Sequence, residues 1–204
     1  MFNTKEKKER SLGAKLFLKA QRCNSPKCVT LRVPHPPGAH GKDRKRAPGE
    51  LSSQLREKQR VRASYGIREA AMRQIVERAS KNPGVTGQMI MVLLESRLDN
   101  VVYRLGFALS RSVARQLVGH GHVAVNGRRV DIPSYLVRIG DIISIRKESK
   151  DHPAFKDLAE RVKKYEAPVW LELDKEKLEG KVRSAPKDFE TPFDTHLVVD
   201  YYSK

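Results

Sequence analysis

A length of 204 residues bounds one large domain or two small ones, and a hydrophobic fraction of 39% limits them to modest cores. Forty-one Lys and Arg against 24 Asp and Glu leave a net charge of +17, so the chain needs a polyanion to sit on. No apolar run of about 18 residues exists, the N-terminal MFNTKEKKERSLGAK lacks an apolar leader core, and two cysteines cannot build a disulfide scaffold, so an intracellular protein without a membrane span is expected.

Residues 1–49 are rich in Lys, Arg, Pro and Gly, and PHPPGAHGKDRKRAPG (34–49) predicts an extended arm, because Pro removes donors and Gly adds backbone freedom. Residues 50–64 predict a helix with Leu51 and Leu55 on one side, ended by Tyr65-Gly66. Met72, Ile75, Val76 and Ala79 mark the apolar stripe of a second helix, which stops at Asn82-Pro83-Gly84. Thr86 is placed to cap GQMIMVLLE, an apolar and therefore buried helix.

Ser96-Arg97-Leu98-Asp99 reads as a capping box in its Asp variant, opening a helix with Leu98, Val101, Val102 and Leu105 inward and Gly106 at its end. Ser110 caps the next helix, with Val113, Ala114, Leu117 and Val118 buried and Arg111 and Arg115 sharing another face. After Gly119-His120-Gly121, the alternation of 122–125, the type I′ dipeptide Asn126-Gly127 and Arg128-Arg129-Val130 predict a hairpin. Ile142–Ile145 adds a strand. Phe155, Leu158, Val162 and Tyr165 mark a short helix. Val169–Leu173 and Leu197–Tyr202 read as strands, with Pro186 and Pro192 in the loop between them. The class is α+β: helices, then a small unit of two helices, a hairpin and an antiparallel sheet.

The charge is uneven. Residues 1–62 carry 17 Lys and Arg against 5 Asp and Glu, 63–150 carry 14 against 7, and 151–204 carry 10 against 12. A polyanion therefore meets the first three-quarters of the chain. Arg111, Arg115, Arg128 and Arg129 offer planar donor forks for phosphate oxygens, and Ser110, Gln116 and Asn126 add polar groups beside them. Gly121 and Gly127 allow close backbone approach, and His120 and His122 donate to phosphates or stack. Lys42, Arg44, Lys45 and Arg46 in the arm, and Arg56, Lys58, Arg60 and Arg62 on the first helix, extend the grip. Aromatic content of 6% argues against a single-strand stacking platform and for shape recognition of folded RNA. A helix-turn-helix DNA reader is the rival, disfavoured by the basic hairpin straight after the second helix.

Cys23 and Cys28 supply two of the four ligands that a closed zinc site needs, with His35 and His40 nearby and no second close pair. The plainer reading is two reduced cysteines in a turn shaped by Pro26, and no metal or cofactor is expected. Glu95 and Asp99 read as a cap and a salt-bridge partner. No P-loop, G-x-S-x-G or H-E-x-x-H motif occurs, so no enzyme is expected.

Residues 95–141, ESRLDNVVYRLGFALSRSVARQLVGHGHVAVNGRRVDIPSYLVRIGD, closely resemble the RNA-binding module named after small ribosomal subunit protein four. LFLKAQRCNSPKC, PHPPGAHG, LREKQRVRASYGI, KNPGVTGQMIMVLLESRLDNVVYRLGF and the terminal HLVVDYYSK extend the resemblance over essentially the whole chain, to the bacterial-type ribosomal family. The resemblance implies a structural rRNA-binding protein of the small (30S) subunit, a primary binder of 16S-type rRNA. It implies nucleation of subunit-body assembly, a contribution to translational accuracy, protein five as neighbour and functional coupling to protein twelve, in the cytoplasmic ribosome. It also implies an arm over 1–49, a helical lobe over 50–94 completed by about 175–204, and the module lobe over 95–174. Zinc-bearing members have two Cys pairs. Here the first pair's places hold Lys7 and Arg10, so rRNA and not metal is expected to order the arm. The alternatives are a free RNA chaperone and an RNA-modifying factor using the same module.

Overall fold

The computed structural model describes residues 4–44, 46–149, 152–187 and 193–203; Lys45 and Pro192 lie outside them. The chain divides into two compact units, Met1–Ile90 with Glu190–Lys204, and Met91–Phe189.

In the first unit the arm is not extended throughout. It contains α1 (Thr4–Leu12), α2 (Ala20–Cys23), α3 (Val29–Arg32) and a single 3-10 turn at Ala39–Lys42. The reason lies in α1, where Glu6, Glu9 and Leu12 recur at helical spacing and face inward. The Glu9 carboxylate accepts the amides of Leu16 and Leu18, both at 3.1 Å, which folds the following loop back on the helix. Arg10 donates to the carbonyl of His35 at 3.0 Å and fastens the Pro-rich stretch.

Helix α4 (Glu50–Tyr65) ends at Gly66 as expected, but it turns its polar stripe inward. Leu51 is 58% exposed, while Gln54, Glu57 and Lys58 are buried. Burial of polar groups is tolerated because each is answered. Lys58 Nζ donates to Glu69 at 3.2 Å and lies 4.0 Å from the ring centre of Tyr201. The Glu57 carboxylate accepts the amide of Asp194. Helix α5 (Glu69–Ser80) buries Met72 and Ala79, and α6 (Thr86–Glu95) starts at Thr86 itself and not after it.

The expected strand at Leu197–Tyr202 is a helix, α10 (Thr195–Ser203). The carboxylate of Asp194 accepts the amides of His196 and Leu197, satisfying two of the first-turn donors. Tyr202 Oη donates to Glu69 at 2.7 Å, and Val198 is buried. Tertiary partners override the strand preference of Val-Val and Tyr-Tyr.

The second unit packs α7 (Leu98–Arg104), α8 (Arg111–Gly119) and α9 (Leu158–Lys163) with a five-stranded antiparallel sheet. Its strands are β1 (Val123–Val125), β2 (Arg128–Arg129), β3 (Ile142–Ile145), β4 (Leu171–Asp174) and β5 (Glu179–Val182), in the order β2-β1-β3-β5-β4. Leu98, Val101, Val102, Leu105, Phe107, Val118, Ile143 and Leu158 make the core with Trp170 and Val182. Gly180 is required in β5, because a Cβ there would collide with the Leu105 side chain. The β4 strand starts two residues later than Val169, which is 96% exposed. The polar, glycine-containing β5 carries no clear strand pattern, and its pairing with β3 and β4 holds residues 179–182 in this unit and not in the helical one.

Two local expectations fail here. The N-cap of α7 is Arg97 and not Ser96; its guanidinium has no acceptor to offer, and the amides of Leu98 and Asp99 donate instead to the carbonyls of Tyr135 and Pro133. Val113 is exposed, while Ala114, Leu117 and Val118 form the buried side of α8.

Candidate nucleic-acid interface

Helix α8 and the β1–β2 hairpin supply the basic face of the second unit. Ser110 starts α8 by accepting the amide of Val113, so it is buried as a cap and does not face a ligand. Asn126 and Gly127 both have positive φ, 51° and 77°, which is the type I′ turn that the dipeptide favours. The Asn126 side chain also donates to Asp141 and accepts the amide of Ile142, which fixes the hairpin tip against β3. Gln116, His120, Arg128 and Arg129 are exposed on this face.

Two buried carboxylates organise the arginines behind it. Asp99 accepts two bonds from Arg97, at 3.1 and 2.9 Å, and a third from Arg115 at 3.3 Å. Glu95 accepts two bonds from Arg104, both at 2.9 Å, and one from Asn100, with Arg111 Nη2 at 3.7 Å. Four guanidiniums thus surround two carboxylates, and the cluster stays cationic. Arg111 is turned inward. Its Nε donates to Asn100 at 2.8 Å and its guanidinium lies 4.8 Å from the Tyr103 ring centre, leaving its side chain 18% exposed. Arg115 is the outer member, with 46% of its side chain exposed.

Gly121 differs from its expected use. Its amide donates to Val118 within the helix end, and the Arg129 guanidinium covers its Cα. His122 is half-buried, with Nδ1 3.0 Å from Ser149 Oγ. Arg146, which sequence spacing did not single out, donates to the Gly121 carbonyl at 3.2 Å and so joins this face.

In the first unit Lys42, Arg44, Arg46 and Arg56 are exposed. Lys58 is buried beneath α10, so it is not available to RNA. Arg60 bonds Glu57 and the Leu12 carbonyl, and Arg62 pairs with Glu69 at 2.7 Å; both serve the helix packing first. Lys5, Lys7 and Lys8 line the outer face of α1, opposite Glu6 and Glu9. The i, i+3 spacing of those glutamates is the signal that would have placed them.

Cys23 and Cys28 are both buried and free. The Cys23 thiol faces the Glu9 carboxylate at 3.7 Å, while Cys28 Sγ lies 3.0 Å from Thr30 Oγ1. Burial pushes the Cys23 thiol above its ordinary value, and the Glu9 charge acts the same way. Among the described residues no three His, Cys, Asp or Glu side chains are grouped to hold a metal. A closed zinc site needs four ligands, of which Cys23 and Cys28 would supply two. No helix among the described residues is long and apolar enough to cross a membrane.

A sequence family described as the Ribosomal protein S4/S9 N-terminal domain matches residues 2–95, and the S4 domain matches residues 96–143. Together they define a ribosomal protein whose second unit carries an S4 domain. Small ribosomal subunit protein uS4 of Thermus thermophilus is 50% identical over 94% of this chain and 93% of its own length. The protein of the same name from Caldicellulosiruptor saccharolyticus is also 50% identical, and that from Pelotomaculum thermopropionicum 48%, over the same shares. The chain belongs to the small ribosomal subunit protein uS4 family. It is a structural protein and not an enzyme, since its relatives are ribosomal proteins.

Proposed function

We propose that this chain is an rRNA-binding protein of the small ribosomal subunit, resident in the cytoplasmic ribosome. The observation that carries the reading is 50% identity to small ribosomal subunit protein uS4 across 94% of the chain. The basic face of α8 and the β1–β2 hairpin supports it, through Arg115, Gln116, His120, Asn126, Gly127, Arg128 and Arg129. Lys42, Arg44, Lys45, Arg46 and Arg56 add grip from the arm and first long helix. Affinity comes mostly from phosphate contacts, and specificity from the shape of a folded RNA junction.

The finer role is that of a primary binder that nucleates assembly of the subunit body and contributes to translational accuracy. Protein five is its neighbour, with functional coupling to protein twelve. Glu9 and Arg10 hold the arm by hydrogen bonds, so the reading needs no zinc. Metal analysis of the purified protein is expected to find less than stoichiometric zinc.

Sucrose-gradient fractionation tests the reading. A subunit protein co-migrates with small subunits at one copy each; presence on a minor fraction alone identifies a chaperone instead. Omitting the protein from reconstitution is expected to stall body assembly. Cross-linking of assembled subunits is expected to join it to protein five.

A further inference from the structure

We infer that His120, His122 and His152 together form a phosphodiester site, and that RNA binding at this face takes up a proton on the central ring, His122. The inference rests on the proposed rRNA binding and adds a site and a regulation to it. Three elements meet there. Helix α8 ends at Gly119 with His120 as its C-cap, Gly121 turns the chain, and His122 leads into β1. The segment after β3 brings Arg146 and Ser149, and the following turn brings His152 beside Phe155. The ring centres of His122 and His152 are 4.6 Å apart, and those of His120 and His122 are 6.0 Å apart. Phe155 stands edge-on to His122 at 6.1 Å.

Two guanidiniums join the rings. Arg146 reaches the Gly121 carbonyl, and Arg129 covers the Gly121 backbone. Among the described residues of these segments the carboxylates are matched to these cations, Glu148 to Arg146 at 3.2 Å and Asp131 to Arg129 at 3.7 Å. Three imidazoles thus share one small surface with two cations whose carboxylate partners lie beside them. In the free protein a proton on the central ring meets like charge. Burial, then His152, His120 and Arg146, hold His122 below the ordinary histidine value.

A phosphodiester reverses that balance, because an anion beside the cluster favours the protonated ring. The hydrogen-bond chemistry agrees. Nδ1 of His122 is engaged with Ser149, so Nε2 is the atom left for a ligand. In the neutral tautomer that donates from Nδ1 to the Ser149 hydroxyl, Nε2 presents a lone pair, which repels a phosphate oxygen. Protonation turns the same atom into a donor.

The test is the affinity of the full chain for small-subunit rRNA between pH 8.0 and pH 6.0 at fixed ionic strength, read by fluorescence anisotropy. Each proton taken up contributes at most about tenfold per pH unit. The wild-type protein is expected to bind at least about threefold tighter at the lower pH, with the dependence flattened in His122→Gln. His120→Gln and His152→Gln, at exposed positions, carry the same expectation should the central variant lose its fold by circular dichroism. Arg115→Ala is expected to bind more weakly at every pH with the dependence intact. A wild-type affinity that does not change with pH overturns the site. So does an unchanged dependence in the folded histidine variants. Absence of rRNA binding at every pH overturns the proposed function itself, and the inference with it.

Discussion

Arg111 and Arg115 are four residues apart on α8 and look equivalent in sequence, yet they stand in different surroundings. Arg115 reaches solvent from its bond to Asp99, whereas Arg111 lies between Asn100, Glu95 and the Tyr103 ring. Arg115→Ala is expected to weaken rRNA binding at all sequences and to reduce the magnitude of the log K–log salt slope by about one. An unchanged slope in a salt titration shows that Arg115 is not on a phosphate. Arg111→Ala is expected to act on stability instead, lowering it by about 1–3 kcal/mol in urea unfolding, because it removes a charged donor from Asn100 and a cation from beside buried Glu95. Its salt slope is expected to stay near that of the wild type. The sequence shows that the two arginines share a face, and it reads Glu95 and Asp99 as a cap and a salt-bridge partner. It does not show which arginine those carboxylates capture, since that depends on how α7 and α8 pack.

At the scale of elements, α10 shows where periodicity stops being informative. Val198, Val199, Tyr201 and Tyr202 favour strands, and the sequence offers one contrary cue, Asp194 ahead of the run. The other determinants of the helix lie over a hundred residues away, in Lys58 and Glu69. The same partners explain why α4 buries Lys58 and leaves Leu51 in solvent. By contrast the Asn126-Gly127 hairpin is legible because its turn is decided locally. Burial pushes the Glu69 carboxyl up, but hydrogen bonds from Tyr202 and Lys58, with the charges of Lys58 and Arg62, hold it below the ordinary glutamate value. A lowered carboxyl pKa adds stability above the unfolded value, and that stability is lost as pH falls through the folded one. Amides of α10 are therefore expected to lose hydrogen-exchange protection as pH drops below about 4.5. Tyr202→Phe removes the 2.7 Å bond to Glu69. It is expected to move that loss to higher pH and to cost about 1–3 kcal/mol at neutral pH. Exchange of α10 that is identical in both proteins across this range sinks the account.

For the molecule as a whole, charge is distributed more informatively than it is summed. Residues 151–204 carry 10 Lys and Arg against 12 Asp and Glu, while the first 62 residues carry 17 against 5. Part of that early excess is consumed within the fold. Arg10, Lys58, Arg60 and Arg62 bond carbonyls or carboxylates of the first unit, so they hold it together before they meet any ligand. The basic run Lys42, Arg44, Lys45 and Arg46 has a different character. It follows a Pro-rich stretch, and Lys42, Arg44 and Arg46 are exposed. Counterion release makes each phosphate that such a side chain neutralises count for about 0.7–0.9 in the salt slope. Replacing the four together by Ser is expected to flatten the slope by about three, against about one for Arg115→Ala, with the unfolding midpoint nearly unchanged. A slope that matches the wild type means the arm stays solvated on the RNA, and the grip then has to come from the α8 and hairpin face. A lowered midpoint with an unchanged slope means these residues serve the fold, as Lys58 does.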